Sequence, residues 1–323
     1  MKKNKILVTG GAGFIGSHLT DKLLIEDYKV CCIDSFDSFY DVNEKHHNVK
    51  SHLNYKNYQI FEGNIENKAF IKDVFSKFQP DLVVHLAAKA GVRPSVENPM
   101  DYESTNVKGT LNILDASVKN GVKKIINGSS SSVYGLNENI PFKESDPLNL
   151  IASPYAATKL ASEAFCHTFH NIYKLPIINL RFFTVYGPRQ RPDLAIRKFM
   201  TRILHNEPIS IYGDGATSRD YTYVKDIVSG IIKAIEYKDK DYDIFNLGNS
   251  SPIKLIDLVR KIEKAIGKEA IIKYEPIQKG DVPITYADVS KSKKLLGYTP
   301  KTSLDEGLKI MANWLIDNQN RKK

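Results

Sequence analysis

An α/β fold, a doubly wound parallel sheet carrying a smaller C-terminal α+β lobe, follows from three observations. Short apolar, β-branched runs alternate with amphipathic helical stretches from Lys5 to Phe182, and a glycine-rich turn joins the first run to the first helical stretch. After Gly187 the alternation gives way to proline and glycine punctuation. Strands alternating with helices of this length imply parallel strands with helices on both faces. The bulk properties agree: 323 residues, 42% apolar and 26% charged, with a mean hydropathy of −0.32, suffice for a sizeable core and exclude a disordered tail.

In chain order, strands are expected at 5–9, 29–33, 82–86, 123–127 and 176–182, with helices at 15–26, 67–78, 101–120 and 154–173. Past Gly187 come Pro188, Pro192, Pro208, Gly213 and Gly215, which break regular structure. A helix at 225–237 and a strand at 243–247 rejoin the sheet, while 253–266, 270–274 and 303–316 suit the smaller lobe. The chain so divides into a dinucleotide-binding domain at 1–184, rejoined by 222–249, and a second lobe at 185–221 and 250–323. A ligand crevice is expected between them, at the carboxyl ends of the strands.

Several classes are excluded. No apolar run approaches the length of a membrane span. Lys2, Lys3 and Lys5 precede Ile6 to Val8 like the start of a signal peptide, but the apolar stretch ends at Thr9 and is too short. Cys31, Cys32 and Cys166 are odd in number and lack His or Cys neighbours at metal spacing. Neither a disulfide framework nor a metal site is expected, and a cytoplasmic location fits. The net charge of +9 is scattered over short runs at Lys123 and Lys124, at Lys291, Lys293 and Lys294, and at Arg321 to Lys323. Solvated lysine-rich faces account for it, so neither nucleic acid nor membrane is an expected partner.

The chemistry begins at Thr9-Gly10-Gly11-Ala12-Gly13-Phe14-Ile15-Gly16. Glycines suit a tight turn that lets backbone approach a pyrophosphate, with the following helix N-terminus facing it, as in the Rossmann arrangement. Both Gly11, Gly13, Gly16 and Gly10, Gly13, Gly16 give recognised spacings. Eighteen residues past Gly16, Asp34 ends the next strand, where a carboxylate accepts from adenosine ribose hydroxyls and repels a 2′-phosphate. NAD is therefore the expected cofactor. Tyr155 and Lys159 lie at i and i+4, so the ammonium can favour the phenolate and make tyrosine usable as a general base. Upstream, Gly128-Ser129-Ser130-Ser131-Ser132 places hydroxyls at a strand end facing the crevice. His85, in an apolar run, reads as a packed strand residue rather than a catalyst.

Together with His85-Leu86-Ala87-Ala88, Asn106, Leu180 to Pro188, Ser218-Arg219-Asp220-Tyr221 and Gly280 to Pro283 leading to Ala287-Asp288, these residues are similar, in the same order, to the extended short-chain dehydrogenase/reductase family. Within it the chain resembles the NAD-dependent nucleotide-sugar 4-epimerases, over Ile6 to about Trp314. The resemblance implies epimerisation at C4 of a UDP-sugar through a 4-keto sugar. Tyr155 would take the 4-hydroxyl proton, Ser130 would hydrogen-bond that oxygen, and Lys159 would bind the nicotinamide ribose and depress Tyr155. The family's cofactor-binding positions fall on Gly10, Gly13, Phe14, Ile15, Gly16, Asp34, Asn64, Ile65, Leu86, Ala87, Ala88 and Asn106, besides Tyr155 and Lys159. Substrate-binding positions fall on Arg93, Ser131, Ser132, Thr184, Arg191, Arg219 and Asp281.

Dehydratases of the family place an Asp-Glu pair directly after the catalytic hydroxyl, and decarboxylases a nearby Glu; Ser131 and Ser132 stand here instead, which favours simple epimerisation. Arg189-Gln190-Arg191-Pro192-Asp193 resembles the UDP-glucuronate 4-epimerases, in which the residue matching Arg191 holds the C5 carboxylate, a task suited to a planar fork. Asp34 to Tyr40 and Thr184 point the same way. The alternatives are that Arg189, Arg191 and Arg197 pair with acids or the nucleotide, that Arg93 makes a loop salt bridge, and that the substrate is UDP-glucose/UDP-galactose or a UDP-N-acetylhexosamine. A dehydratase or reductase, or a non-catalytic NAD-binding module, are the competing classes. Gln278 and Asn64 depart from the family's usual Arg and Asp. Homodimers joined through the helices at 101–120 and 154–173 are the family's usual assembly.

Overall fold

The central strands are apolar along their whole length because both of their faces are covered. The computed structural model describes residues 4–276 and 282–321. In order, the first half contains β1 (Lys5–Thr9), α1 (Phe14–Ile25), β2 (Lys29–Asp34), α2 (Val42–Lys50), β3 (Tyr58–Glu62), α3 (Lys68–Phe78), β4 (Leu82–His85), α4 (Val92–Glu97), α5 (Pro99–Glu103), α6 (Gly109–Lys119) and β5 (Lys124–Ser130). Then follow α7 (Pro154–Tyr173), β6 (Ile177–Phe182), β7 (Thr184–Tyr186), α8 (Ala195–Leu204), β8 (Ile209–Tyr212), β9 (Ser218–Tyr223), α9 (Val224–Glu236), β10 (Tyr242–Leu247), β11 (Pro252–Lys254), α10 (Leu255–Ile266), β12 (Ile272–Glu275) and α11 (Leu304–Arg321).

Seven strands form one sheet in the order β10-β6-β5-β4-β1-β2-β3, every neighbour parallel. This is the doubly wound Rossmann sheet. The strand order reverses between β1 and β4, so the loops leaving them diverge and open a crevice at their carboxyl ends. Side chains alternate across it: Ile6, Val8, Val30, Cys32, Val84, Ile126 and Ile178 enter one core, while Leu7, Cys31, Ile33, Val83, Ile125 and Ile177 enter the other. Cys31 and Cys32 therefore point to opposite faces, buried and unpaired.

The first of these cores continues through α9 into β8, α8, α10 and α11. Two small sheets, β11-β9-β7 and β12-β8, complete the structure. No helix among the described residues is long and apolar enough to cross a membrane. Some elements escape the sequence reading. β3 is an edge strand, buried at Tyr58 and otherwise partly solvated, and α2 has a mean composition too polar to stand out. β7 lies just before Gly187, and β8, β9, β11 and α8 lie among the turn residues after it. The single helix expected at 101–120 is α5 and α6 joined by a π-helical turn at Ser104–Lys108.

Candidate active site

Beyond Thr9 the chain must turn sharply beneath the loop that follows β4. Gly10 does so at φ +72°, and a Cβ there would meet Ala87 N at 2.9 Å. A Cβ on Gly16 would lie 2.1 Å from the Gly10 carbonyl oxygen, so only glycine lets α1 sit against the turn. The N-cap Gly13 supplies no side-chain cap and the first turn of α1 has no acidic residue, which leaves the helix N-terminus suited to an anion. Asp34, at the end of β2, accepts from Ala12 N at 3.0 Å and Phe36 N at 2.9 Å. Burial pushes its carboxyl up, against the opposing pull of Lys45 and those two amides.

These residues line one side of a cavity of about 760 Å³, within the size range of cofactor and ligand sites. Gly10, Gly13, Phe14, Ile15, Gly16, Asp34, Asn64, Ile65, Leu86, Ala87 and Ala88 are all in its wall. Asn64 turns its amide onto Glu66, with Nδ2 3.2 Å from Oε1 and Oδ1 accepting from Glu66 N at 2.9 Å. Asn106 is not in the wall. It is buried behind it, accepting from Lys89 N at 2.8 Å and donating to Lys89 O and Thr158 Oγ1, both at 2.9 Å, so it ties the post-β4 loop to α7 instead of facing a ligand.

On the far side of the cavity stand Ser130, Ser131, Ser132, Tyr155 and Lys159. Ser130 ends β5, its Oγ accepting from Ser132 N at 3.2 Å. Ser153 caps α7 by accepting from Ala156 N at 3.2 Å, Pro154 occupies the first helical turn, and Tyr155 and Lys159 follow one turn apart. Tyr155 N donates to Ser95 Oγ at 3.1 Å, and the Tyr102 ring meets the Tyr155 ring edge-on at 6.2 Å. Burial raises the Tyr155 phenol, opposed by the hydrogen bond with Ser130 and the charge of Arg191. Burial lowers Lys159 to about 8. Lys159 Nζ donates to Gly128 O at 2.8 Å, and the charge of Arg191 also acts on Tyr155.

Thr184, Arg191 and Arg219 complete the wall. Arg191 meets Asp193 side-on, Nε to Oδ1 at 2.9 Å and Nη2 to Oδ2 at 2.6 Å, while Nη2 also donates to Ala90 O at 3.1 Å. Its guanidinium lies 4.9 Å from the Phe39 ring centroid. Arg219 donates to the carbonyl of Ser218 at 2.9 Å. Arg93 does not reach the cavity: it is exposed and stacks over the Tyr212 ring at 4.5 Å, because α4 turns it away while Val92 and Pro94 face inward. Asp281 and Gln278 lie outside the described residues. Sequence reasoning missed Phe39 and Tyr102, whose only signal is their aromatic character, and Glu163, which repeats the i+4 spacing after Lys159.

A glycine cradle at the switch point of a doubly wound sheet, with a serine, a tyrosine and a lysine converging on the same cavity, defines an extended short-chain dehydrogenase/reductase. The chain belongs to that family, in its nucleotide-sugar 4-epimerase group: the family model described as GDP-mannose 4,6 dehydratase matches residues 7–311. A UDP-glucuronate 4-epimerase of Thermodesulfobacterium geofontis is 41% identical over 97% of this chain and 96% of its own. The crystal structure of the UDP-glucuronic acid 4-epimerase from Bacillus cereus, in complex with UDP-glucuronic acid and NAD, is similar at a TM-score of 0.91 and 36% identity, covering 97% of this chain and 99% of that one. The UDP-glucose 4-epimerase of Thermotoga maritima, solved with UDP-glucose, is similar at 0.90 and 36% identity, covering 98% and 99%.

Proposed function

We propose that this chain is an NAD-dependent UDP-sugar 4-epimerase that interconverts UDP-glucuronate and UDP-galacturonate, working as a cytoplasmic homodimer. The observation that carries the sugar assignment is Arg191. Asp193 and Ala90 engage Nε and Nη2, so Nη1 is the one terminal nitrogen of the fork without a partner among the described residues, on a guanidinium in the wall beside Tyr155. A carboxylate on sugar C5 suits that donor, and the similar UDP-glucuronate 4-epimerases support the same reading.

The residues present fit NAD. The uncapped start of α1 suits its pyrophosphate, Asp34 its adenosine ribose, and Lys159 its nicotinamide ribose. When bound, NAD supplies the reversible two-electron acceptor for sugar C4. Tyr155 removes and returns the proton on O4, Ser130 holds that oxygen through its hydroxyl, and Thr184, Ser131 and Ser132 line the sugar half of the cavity. Ser131 and Ser132, directly after Ser130, are neither acid nor base, which favours simple epimerisation over expulsion of water from C5 and C6. Arg219 grips the UDP pyrophosphate, and the segments at 185–221 and 250–323 form the UDP-sugar lobe.

Proton NMR of the purified protein with UDP-glucuronate or UDP-glucose, without added NAD, tests this. Growth of UDP-galacturonate anomeric signals in the first tube alone is expected. UDP-galactose alone would keep the epimerase and overturn the assignment of Arg191.

A further inference from the structure

One turn beyond Lys159 on α7, Glu163 is buried and meets Arg181 of β6 side-on, Nε to Oε1 at 2.9 Å and Nη2 to Oε2 at 2.8 Å. Tyr155, Lys159 and Glu163 follow at four-residue intervals, which sets the three side chains in a row along the helix. The pair reaches two more elements. Ser129 Oγ, adjacent to Ser130 at the end of β5, donates to Glu163 Oε1 at 2.5 Å. Arg181 Nη1 donates to the Tyr134 hydroxyl at 3.1 Å, and Tyr134 closes the 3-10 turn that carries Ser131 and Ser132. The strand end with the catalytic hydroxyl, the turn with the cavity serines and the helix with the Tyr–Lys set are all tied to one ion pair.

Stability alone does not account for such a pair, because well-packed apolar residues of similar volume often hold a core at least as well. Its charge has a neighbour to act on. Among the described residues, the groups facing Lys159 are Tyr155, Glu163 and Cys166 on its own helix, His85 on β4 and the Gly128 carbonyl on β5. Burial pushes the Cys166 thiol up and His85 down to about 3, so both are neutral at working pH. Tyr134 and Tyr242, which face the ion pair, are also pushed up and neutral. Glu163 is left as the anion that acts on Lys159.

We propose that Glu163 is a positioning residue of this site: through Ser129 and Arg181 its carboxylate fixes the end of β5 and the turn after it, and it supplies the countercharge that keeps Lys159 cationic. The proposal rests on Tyr155 and Lys159 acting as described above, and not on which UDP-sugar is turned over. The double variant Glu163→Gln/Arg181→Met removes both charges without leaving one unpaired. Its kcat–pH profile, on the UDP-sugar the wild type accepts, should lose activity on the alkaline side about one pH unit earlier than the wild type. Its Tm deficit should shrink from pH 7 to pH 9, as Lys159 loses its proton in both proteins. A folded double variant with the wild-type alkaline limb and a deficit independent of pH would overturn the proposal, since a merely structural pair moves neither. Where the double variant does not fold, Ser129→Ala decides: an approximately tenfold loss of kcat at unchanged KM supports the clamp, and wild-type kcat refutes it. The thermal comparison needs no substrate, so a wild type inert on every UDP-sugar would fail the functional reading and still leave this proposal decidable.

Discussion

Thr9 Oγ1 accepts from Leu86 N and Ala87 N, both at 3.1 Å, so its own proton goes to His85 Nδ1 at 2.7 Å. Thr110 Oγ1 donates to Asn106 O at 2.5 Å and therefore accepts from His85 Nε2 at 3.0 Å. His85 is held as the neutral Nε2–H tautomer, a packed residue as its apolar run implied. Burial takes it to about 3 and His18 to about 4, below the 6.5 of an unfolded histidine. Between those values the unfolded chain binds more protons, so stability is complete above pH 6.5 and falls as pH drops toward 4, by up to about 1.4 kcal/mol per pH unit for each group. His18→Gln, which keeps a donor for Pro188 O, should make that decline shallower in urea titrations. At the catalytic end, Tyr155→Phe should lower turnover by roughly 10²–10⁴-fold while NAD stays bound. Arg191→Met should raise KM for UDP-glucuronate by about tenfold or more, the worth of a charged hydrogen bond, and, by removing a cation that lowers the Tyr155 phenol, move the kcat–pH profile to higher pH.

The elements that build the site were legible where a local pattern repeats and hidden where it does not. β1, its glycine turn and α1 could be placed because a buried strand, a forced left-handed turn and a helix follow one another within a few residues. Gly16→Ala tests that geometry: with a Cβ 2.1 Å from the Gly10 carbonyl, α1 must shift, and the variant should lose affinity for NAD together with stability. Ser153→Ala should cost about 1 kcal/mol in chemical denaturation through loss of the cap on Ala156 N. β3 and the short strands β7 and β11 were missed because an edge or a three-residue strand needs its partner before its pattern means anything. The π-helical turn between α5 and α6 likewise carries no signature in Ser104–Lys108, though it presents Asn106 inward.

Across the whole molecule, buried polar contacts join residues far apart in sequence. Asp220 accepts from Asn249 N and Ser250 N, each at 2.9 Å, and from Ala287 N at 3.1 Å, joining β9 to two distant segments. Asp220→Ala strands three buried amides and should cost at least about 3 kcal/mol, seen as a lower urea midpoint. Arg197 of α8 pairs with Glu44 of α2 at 2.7 Å, and Arg189 with Asp21 of α1 at 2.7 Å. These contacts agree with the alternative that Arg189 and Arg197 pair with acids; Arg191 pairs with Asp193 too, and alone of the three lines the cavity.

By itself the sequence determined the doubly wound sheet, the glycine cradle, Asp34 and the Ser130, Tyr155 and Lys159 set, because each depends on spacing within one turn, strand or helix. Only the tertiary structure decided that Arg93 points away, that Asn106 braces the wall, and that Lys159 bonds the Gly128 carbonyl with Glu163 and Arg181 behind it. Those outcomes depend on which buried polar groups meet across the sheet, and a buried group takes whichever partner the packing brings within hydrogen-bond reach.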